Sequence, residues 1–355
     1  MSPRASLLLL FALLLPAAAQ EDERGLPEDP RALAALTARA LEALAPSIVE
    51  VESLGGLPEQ FKVPQSEEEA QQQGGILAAG GFKQAYGPTT GLVVREDGLI
   101  VTTSFATHRN PRHIIVSLAD GRSLVAKVLG RDDARGLVLL RVDAEGLPVP
   151  RFAAPEALRV GRWAVAMGRG LGRPWADASP PAVSRGIVSG LHRVGGRALQ
   201  TSAAVSPVNY GGPLVAIDGS VLGVLVPLAL DGGMASVDIY DSGIGFAIPA
   251  PDLLRLLPRL ERGEHLKPGF LGVDPDRLSK DGVRVAAVVP GSPAAGAGLA
   301  QGDVILSVDG EKTGLFWQLR RLLGSRCAGD ALELEVRRGT ETRTVEVTLG
   351  EAPVE

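Results

Sequence analysis

A single cysteine, Cys327, among 355 residues excludes an intramolecular disulfide and any multi-cysteine metal site. The four histidines, His108, His113, His192 and His265, are scattered rather than set at metal-ligand spacing, so no metal and no cofactor is expected. Basic residues are not in excess: 36 Lys and Arg stand against 41 Asp and Glu, a net charge of −5. Without a clustered basic surface, nucleic acid is not an expected partner. Long apolar runs are missing as well. Leu7 to Leu15 is too short to cross ~30 Å of hydrocarbon, and no later segment does better, so no stable membrane span is expected.

What is present at the start sets the compartment. Arg4, the apolar run from Leu7 to Leu15, Pro16 and Ala17 to Ala19 have the layout of a secretory signal peptide over residues 1–19. With no cysteine near the cleavage site, a lipoprotein is not expected, and the mature chain is placed in the periplasm or outside the cell. Residues 20–46 form an N-terminal segment whose helical period runs from Pro30 to Leu44 after Asp29. Residues 55–87 lose all periodicity. Glu67 to Glu69 and Gln71 to Gln73 mark them as a polar insert.

The 44 glycines and 26 prolines favour short strands and turns over long helices. One set of strands starts at Ser47 and continues through Gly91–Val94, Leu99–Thr102, Ile114–Leu118, Ser123–Val128 and Leu137–Val142. Turns at Glu96–Gly98 and Ala119–Gly121 give hairpins. A second set runs from Trp163 to Ile248. Two sets of about six predict a mainly β domain over 47–248, built as two antiparallel six-stranded barrels. A leucine-rich linker helix interrupted by Pro258 is expected over 249–266, and a smaller α+β domain over 267–351.

The stretch Ala204 to Leu214, AVSPVNYGGPL, carries the frame Asn209, Gly211, Gly212, Pro213, Leu214 of a trypsin-like nucleophile turn. Further blocks follow the same order along the chain: Leu118–Gly121, Gln200–Thr201, Gly243–Pro249, Gly269–Val273, Val289–Ala294 and Gly302–Ile305. From about Ser47 to Glu351 the chain resembles the HtrA family, trypsin-like serine proteases with a C-terminal PDZ domain. That resemblance implies the double barrel followed by a PDZ module, in agreement with the strand count.

The resemblance also places the catalytic positions, and their residues differ from the family's. Phe105 stands in the histidine's place, Gly136 in the aspartate's and Tyr210 in the serine's, with Val208 at an oxyanion-hole glycine. A phenol with a pKa near ~10 is a poor nucleophile at neutral pH. Loss of one triad member typically leaves ~10³–10⁴-fold acceleration. The expectation is therefore a pseudoprotease, a serine protease homologue that is no enzyme. Relocated groups are the alternative: Ser184, Ser202 and Ser206 as hydroxyls, His108, His113 and His192 as bases. A three-residue shift along an extended segment moves a side chain by roughly 10 Å, whereas a triad needs contacts near ~3 Å.

In the PDZ segment, Gly269, Phe270, Leu271, Gly272 and Val273 resemble the loop that captures a peptide's terminal carboxylate. Phe270, Leu271, Phe316 and Leu319 are candidates for its apolar pocket. For Phe316 and Leu319 a core role is equally consistent with helical spacing. Cys327 is expected as a buried thiol without chemistry. The resulting expectation is an exported protein that binds peptide C-termini or unfolded proteins as adaptor, scaffold or chaperone in envelope quality control. Two alternatives stand beside it: a serine endopeptidase with a relocated catalytic arrangement, and a regulatory subunit of an active HtrA-type protease. The resemblance further implies a homotrimer, for which the N-terminal stretch offers Phe61, Phe82 and Tyr86.

Overall fold

In the computed structural model, helix α1 (Pro30–Leu44) opens on its proline and lays Ala40 and Leu44 against the barrel core. The structure describes residues 30–55, 88–107, 111–169, 180–228, 242–276 and 282–351. The signal peptide, nearly all of the insert 55–87, His108, Phe61, Phe82 and Tyr86 lie outside the described residues.

The first barrel comprises β1 (Ile48–Leu54), β2 (Thr89–Arg95), β3 (Leu99–Thr103), β4 (His113–Ser117), β5 (Ser123–Asp132) and β6 (Leu137–Arg141). Its order is β5-β4-β1-β2-β3-β6, and pairing of β5 with β6 closes it. The second is the closed barrel β10-β11-β12-β9-β8-β7. Its strands are β7 (Trp163–Gly168), β8 (Ala182–His192), β9 (Ala198–Thr201), β10 (Pro213–Ala216), β11 (Val221–Val226) and β12 (Gly245–Pro249).

Alternation along the strands explains their almost continuous apolar runs. Val93, Ile100, Val138 and Leu140 fill the first barrel. Their neighbours Leu92, Leu99, Leu137 and Leu139 point the other way, into a cluster shared with the second barrel, α1 and the linker helix. Both faces of these strands are therefore dry.

The linker helix α3 (Ala250–Glu261) follows a short helix α2 (Ser104–Thr107) in chain order. It buries Leu253, Leu256, Leu257 and Leu260, and passes so close to β5 that a Cβ on Gly130 would lie 2.4 Å from the Leu260 carbonyl. The helix is shorter than the expected 249–266 segment. After Glu261 the chain turns into β13 (His265–Leu266), which pairs parallel with β5.

The PDZ domain consists of β14 (Gly269–Phe270), β15 (Val273–Pro275), β16 (Val283–Val288), helix α4 (Pro293–Gly296), β17 (Val304–Val308) and β18 (Glu311–Lys312). Helix α5 (Phe316–Gly324), β19 (Ala331–Arg338), β20 (Glu341–Thr348) and β21 (Gly350–Glu351) complete it. Its sheet runs β15-β16-β17-β19-β20, with β15 at the edge.

A buried arginine, paired within the barrel domain, reaches across to the PDZ domain. Arg135, in the β5–β6 turn, donates to Asp132 Oδ2 at 2.9 Å and to the Ser325 carbonyl of the PDZ domain at 2.7 Å. It also lies 3.4 Å from Cys327 Sγ, and both Asp132 and Arg135 are fully buried. Burial pushes the Asp132 carboxyl up, and the Arg135 charge opposes that shift. Burial likewise pushes the Cys327 thiol up. Arg259 adds a second tie, 2.7 Å from Asp330.

Arg135→Ala leaves the Asp132 carboxylate buried without its cation, so a loss of about 3–5 kcal/mol is expected in urea denaturation. The apolar pair Asp132→Leu with Arg135→Met is expected to recover most of that loss.

A surface network gives a pH signature. Arg95 hydrogen-bonds to Asp97 and Glu261 and holds both carboxyls below the usual range. Depressed folded-state pKa values stabilise above the unfolded values near ~4, and that stabilisation is lost as pH falls through the folded ones. With Asp97 41% and Glu261 36% exposed, the effect is below about 1 kcal/mol. Glu261→Gln is expected to lower the neutral plateau of a stability–pH profile by less than about 1 kcal/mol, flatten the acid limb by the same amount and leave stability below the folded pKa values almost unchanged.

Candidate functional site

The three positions that the sequence resemblance sets against a catalytic triad, Phe105, Gly136 and Tyr210, meet at the junction of the barrels. Helix α2 delivers Phe105, the β5–β6 turn delivers Gly136, and the turn Pro207–Asn209 before β10 delivers Tyr210. Ser104 N–H donates to the Gly136 carbonyl at 2.8 Å, which ties the first two loops together. Phe105 and Tyr210 pack edge to face, with ring centroids 5.4 Å apart at 74°. They are 2% and 3% exposed and belong to the second barrel's core.

The glycines around Tyr210 are required by close packing. Gly211 has φ +87°, and a Cβ there would lie 2.0 Å from the Thr90 carbonyl. A Cβ on Gly212 would lie 2.2 Å from the Met167 carbonyl. Thr90 Oγ1 donates to the Val208 carbonyl at 2.6 Å, so β2 of the first barrel anchors this turn. The turn's own donors face inward: Tyr210 N–H to the Pro207 carbonyl at 3.3 Å, Gly211 N–H to Leu225 at 2.9 Å and Gly212 N–H to Asn209 at 2.8 Å.

Two of the other hydroxyls are engaged locally. Ser184 Oγ accepts from Ala204 N–H at 2.9 Å, and Ser202 Oγ accepts from Ile187 N–H at 3.0 Å. Ser206 N–H donates to Asn209 Oδ1 at 3.1 Å. His113 and His192 are exposed, and His265 hydrogen-bonds to Asp133 Oδ2 at 2.6 Å. Burial and the Arg321 charge hold His192 below the usual imidazole range.

The second site is the PDZ groove between edge strand β15 and α5. A cavity of about 270 Å³ is lined by Gly269, Val273, Phe316 and Leu319 from the expected set. Phe270, Leu271 and Gly272 are not part of that lining. Leu271 is buried in the PDZ core, as is Leu319. Gly272 has φ +83° and packs against Ser292, where a Cβ would approach to 2.1 Å. The Leu271 carbonyl accepts from Ala294 N–H and the Gly272 carbonyl from Val289 N–H, each at 2.9 Å. A trans peptide points its N–H opposite to its C=O, so Gly272 and Val273 direct their N–H groups away from these partners.

Leu323, Arg320 and, from the barrel domain, Gly195 and Arg197 are also part of the lining. The spacing 316, 319, 320, 323 is a helical face and could have exposed Arg320 and Leu323 in the sequence. No local pattern announces Gly195 and Arg197. They arrive through a left-handed turn at Val194 and Gly195 packed on α5, where a Cβ on Gly196 would lie 2.3 Å from the Arg321 carbonyl.

A closed double barrel followed by a PDZ module defines the class, and comparison with known proteins agrees. Residues 89–224 match the trypsin-like peptidase domain family and residues 269–349 the PDZ domain family. The chain is 34% identical over 280 residues to a protein of Halomonas elongata named probable periplasmic serine endoprotease DegP-like. It is 33% identical over 296 residues to one of the same name from Hahella chejuensis. These matches cover 74% and 78% of the chain but only 56% and 59% of the relatives. A serine endoprotease from Yersinia pestis superposes with TM-score 0.60 at 24% identity, covering 89% of this chain and 98% of that one. The HtrA-type protease AlgW with tripeptide gives 0.62 at 24% identity, covering 90% and 98%. The chain belongs to the HtrA family.

These relatives correct one expectation. A protein that is no enzyme was inferred from Phe105, Gly136 and Tyr210, but the relatives are named serine endoproteases. The residues at three expected positions do not by themselves show that the chain is no enzyme.

The aromatic pair is testable through stability. Phe105→Ala is expected to cost about 3–5 kcal/mol. A double-mutant cycle with Tyr210→Ala is expected to give a coupling of about 1 kcal/mol by chemical denaturation, because the edge-to-face contact is shared.

Proposed function

We propose that the protein is an exported HtrA-family protein that captures polypeptide C-termini and unfolded segments through its PDZ groove, as adaptor or chaperone in envelope protein quality control. The observation that carries this reading is the open edge of β15 beside a half-apolar groove, with the amides of Gly272 and Val273 pointing opposite to the Leu271 and Gly272 carbonyls. An extended peptide adds to such an edge, and backbone N–H groups receive its terminal carboxylate. The relatives' names support an envelope location, and no described helix is long and apolar enough to cross a membrane. A homotrimer of this chain, or its association with an active HtrA-type protease, belongs to the same reading.

The relatives' names favour a second reading, an endopeptidase whose nucleophile is a serine elsewhere than at position 210. Ser206, four residues before Tyr210 in the chain, is the first to test. A fluorophosphonate that labels one serine, with casein cleavage abolished by its substitution, establishes that reading. The absence of any labelled serine argues against it.

For peptide capture, a free C-terminal carboxylate is expected to bind the full chain about tenfold more tightly than its amide, read by fluorescence anisotropy. Phe316→Ala is expected to weaken binding severalfold, whereas Leu319→Ala acts mainly on stability because Leu319 lies in the PDZ core.

A further inference from the structure

We propose that the PDZ groove selects acidic polypeptide ends, reading a side-chain carboxylate upstream of the C-terminus with Arg197 of the barrel domain and Arg320 of α5. The inference rests on the peptide-capture reading and names the substrate class of that site.

The charges at the groove are one-sided. The 270 Å³ cavity is lined by Arg197, Arg320 and Arg326 and by no carboxylate. Arg326 is already paired with Asp309. Arg197 spends its donors on two carbonyls, Val194 at 3.0 Å and Ala134 at 2.7 Å, and these do not neutralise it. Among the described residues neither Arg197 nor Arg320 has a carboxylate within ion-pair distance. On β15, Asp274 lies outside the lining, because alternation sends Val273 and Pro275 into the groove.

The arginines also crowd one another. Burial first, then the guanidinium groups of Arg135 and Arg320, hold Arg197 below the usual arginine range, with Asp132 offsetting only part. An incoming carboxylate relieves that repulsion. A neighbouring pocket of about 410 Å³ shares Gly195 and Arg320 and adds Arg193 and Trp317, the latter 58% exposed. Arg193 too lacks a carboxylate partner among the described residues, so the cationic track continues out of the groove. In a chain with a net charge of −5, this local excess of positive charge is opposite in sign to the whole. The apolar lining, Val273, Phe316, Leu319 and Leu323, suits one apolar side chain beside the acidic one.

The test uses the full chain and labelled octapeptides ending in valine, with glutamate or glutamine at each of the four preceding positions in turn. At one position or more, glutamate is expected to bind about fivefold more tightly than glutamine, a preference that shrinks as salt is raised. Arg320→Gln is expected to bring the ratio of glutamate to glutamine binding to about one, whatever its effect on the affinity common to both peptides. Arg320 is exposed, so this variant folds without a buried cost. Amidated peptides form the second arm. If Arg320→Gln weakens glutamate and glutamine peptides alike, and amidation removes that loss, the arginine serves the terminal carboxylate and the proposal is overturned. Equal binding of glutamate and glutamine at every position overturns it as well, with peptide capture intact. Absence of binding by all peptides overturns the capture reading itself.

Discussion

The buried Asp132–Arg135 pair is the constraint on which the domain arrangement depends. A desolvated guanidinium must find acceptors, and Arg135 finds one on each side of the domain boundary: the Asp132 carboxylate and the Ser325 carbonyl. Its Nε finds no partner, so the remaining contacts must be held well. The next residue back, Ala134, offers its carbonyl to Arg197, whose side chain walls the peptide groove. The shape of the groove therefore depends on a charge pair buried in the barrel domain. Removing either charge disturbs both domain orientation and groove wall, whereas exposed pairs such as Arg122–Asp120 contribute little.

The turn around Tyr210 is held by packing at its glycines rather than by the residue they follow. Gly211 and Gly212 sit where any side chain would collide with the Thr90 and Met167 carbonyls. These collisions belong to the packing of one barrel on the other and are independent of what residue 210 does. The glycine frame is thus a statement about fold, and the residue inside it a separate statement about chemistry.

Much of the architecture was readable because strand periodicity and burial coincide. Residues such as Leu92, Val93 and Val94 form an unbroken apolar run because one face fills a barrel and the other meets its neighbour. Helix α1 could be read to its ends because Pro30 starts it. Less was readable where partners are distant in sequence. The parallel pairing of β13 with β5, the burial of Arg135 and the arrival of Arg197 beside α5 all depend on side chains more than a hundred residues apart or on a left-handed turn. None of these leaves a local pattern. The inference from the three substituted triad positions to a non-enzyme failed for a related reason: it treated one constellation as the whole of the chain's chemistry.

The edge strand itself argues that charge matters in the groove. Strand β15 has three residues, and the last, Pro275, has no N–H to offer a pairing strand. A peptide laid along it gains only a short ladder through Val273, because the main chain of Asp274 faces β16. Short, proline-ended edges protect a sheet from uncontrolled pairing, but they also weaken backbone recognition. Affinity must then come from the two ends of the contact: the terminal carboxylate at the amides of Gly272 and Val273, and side chains against α5 and the barrel wall. The polar groups offered there are guanidinium groups, which favour carboxylates over neutral amides. A groove with a truncated ladder and an arginine wall discriminates by charge where a longer edge strand would bind by backbone alone.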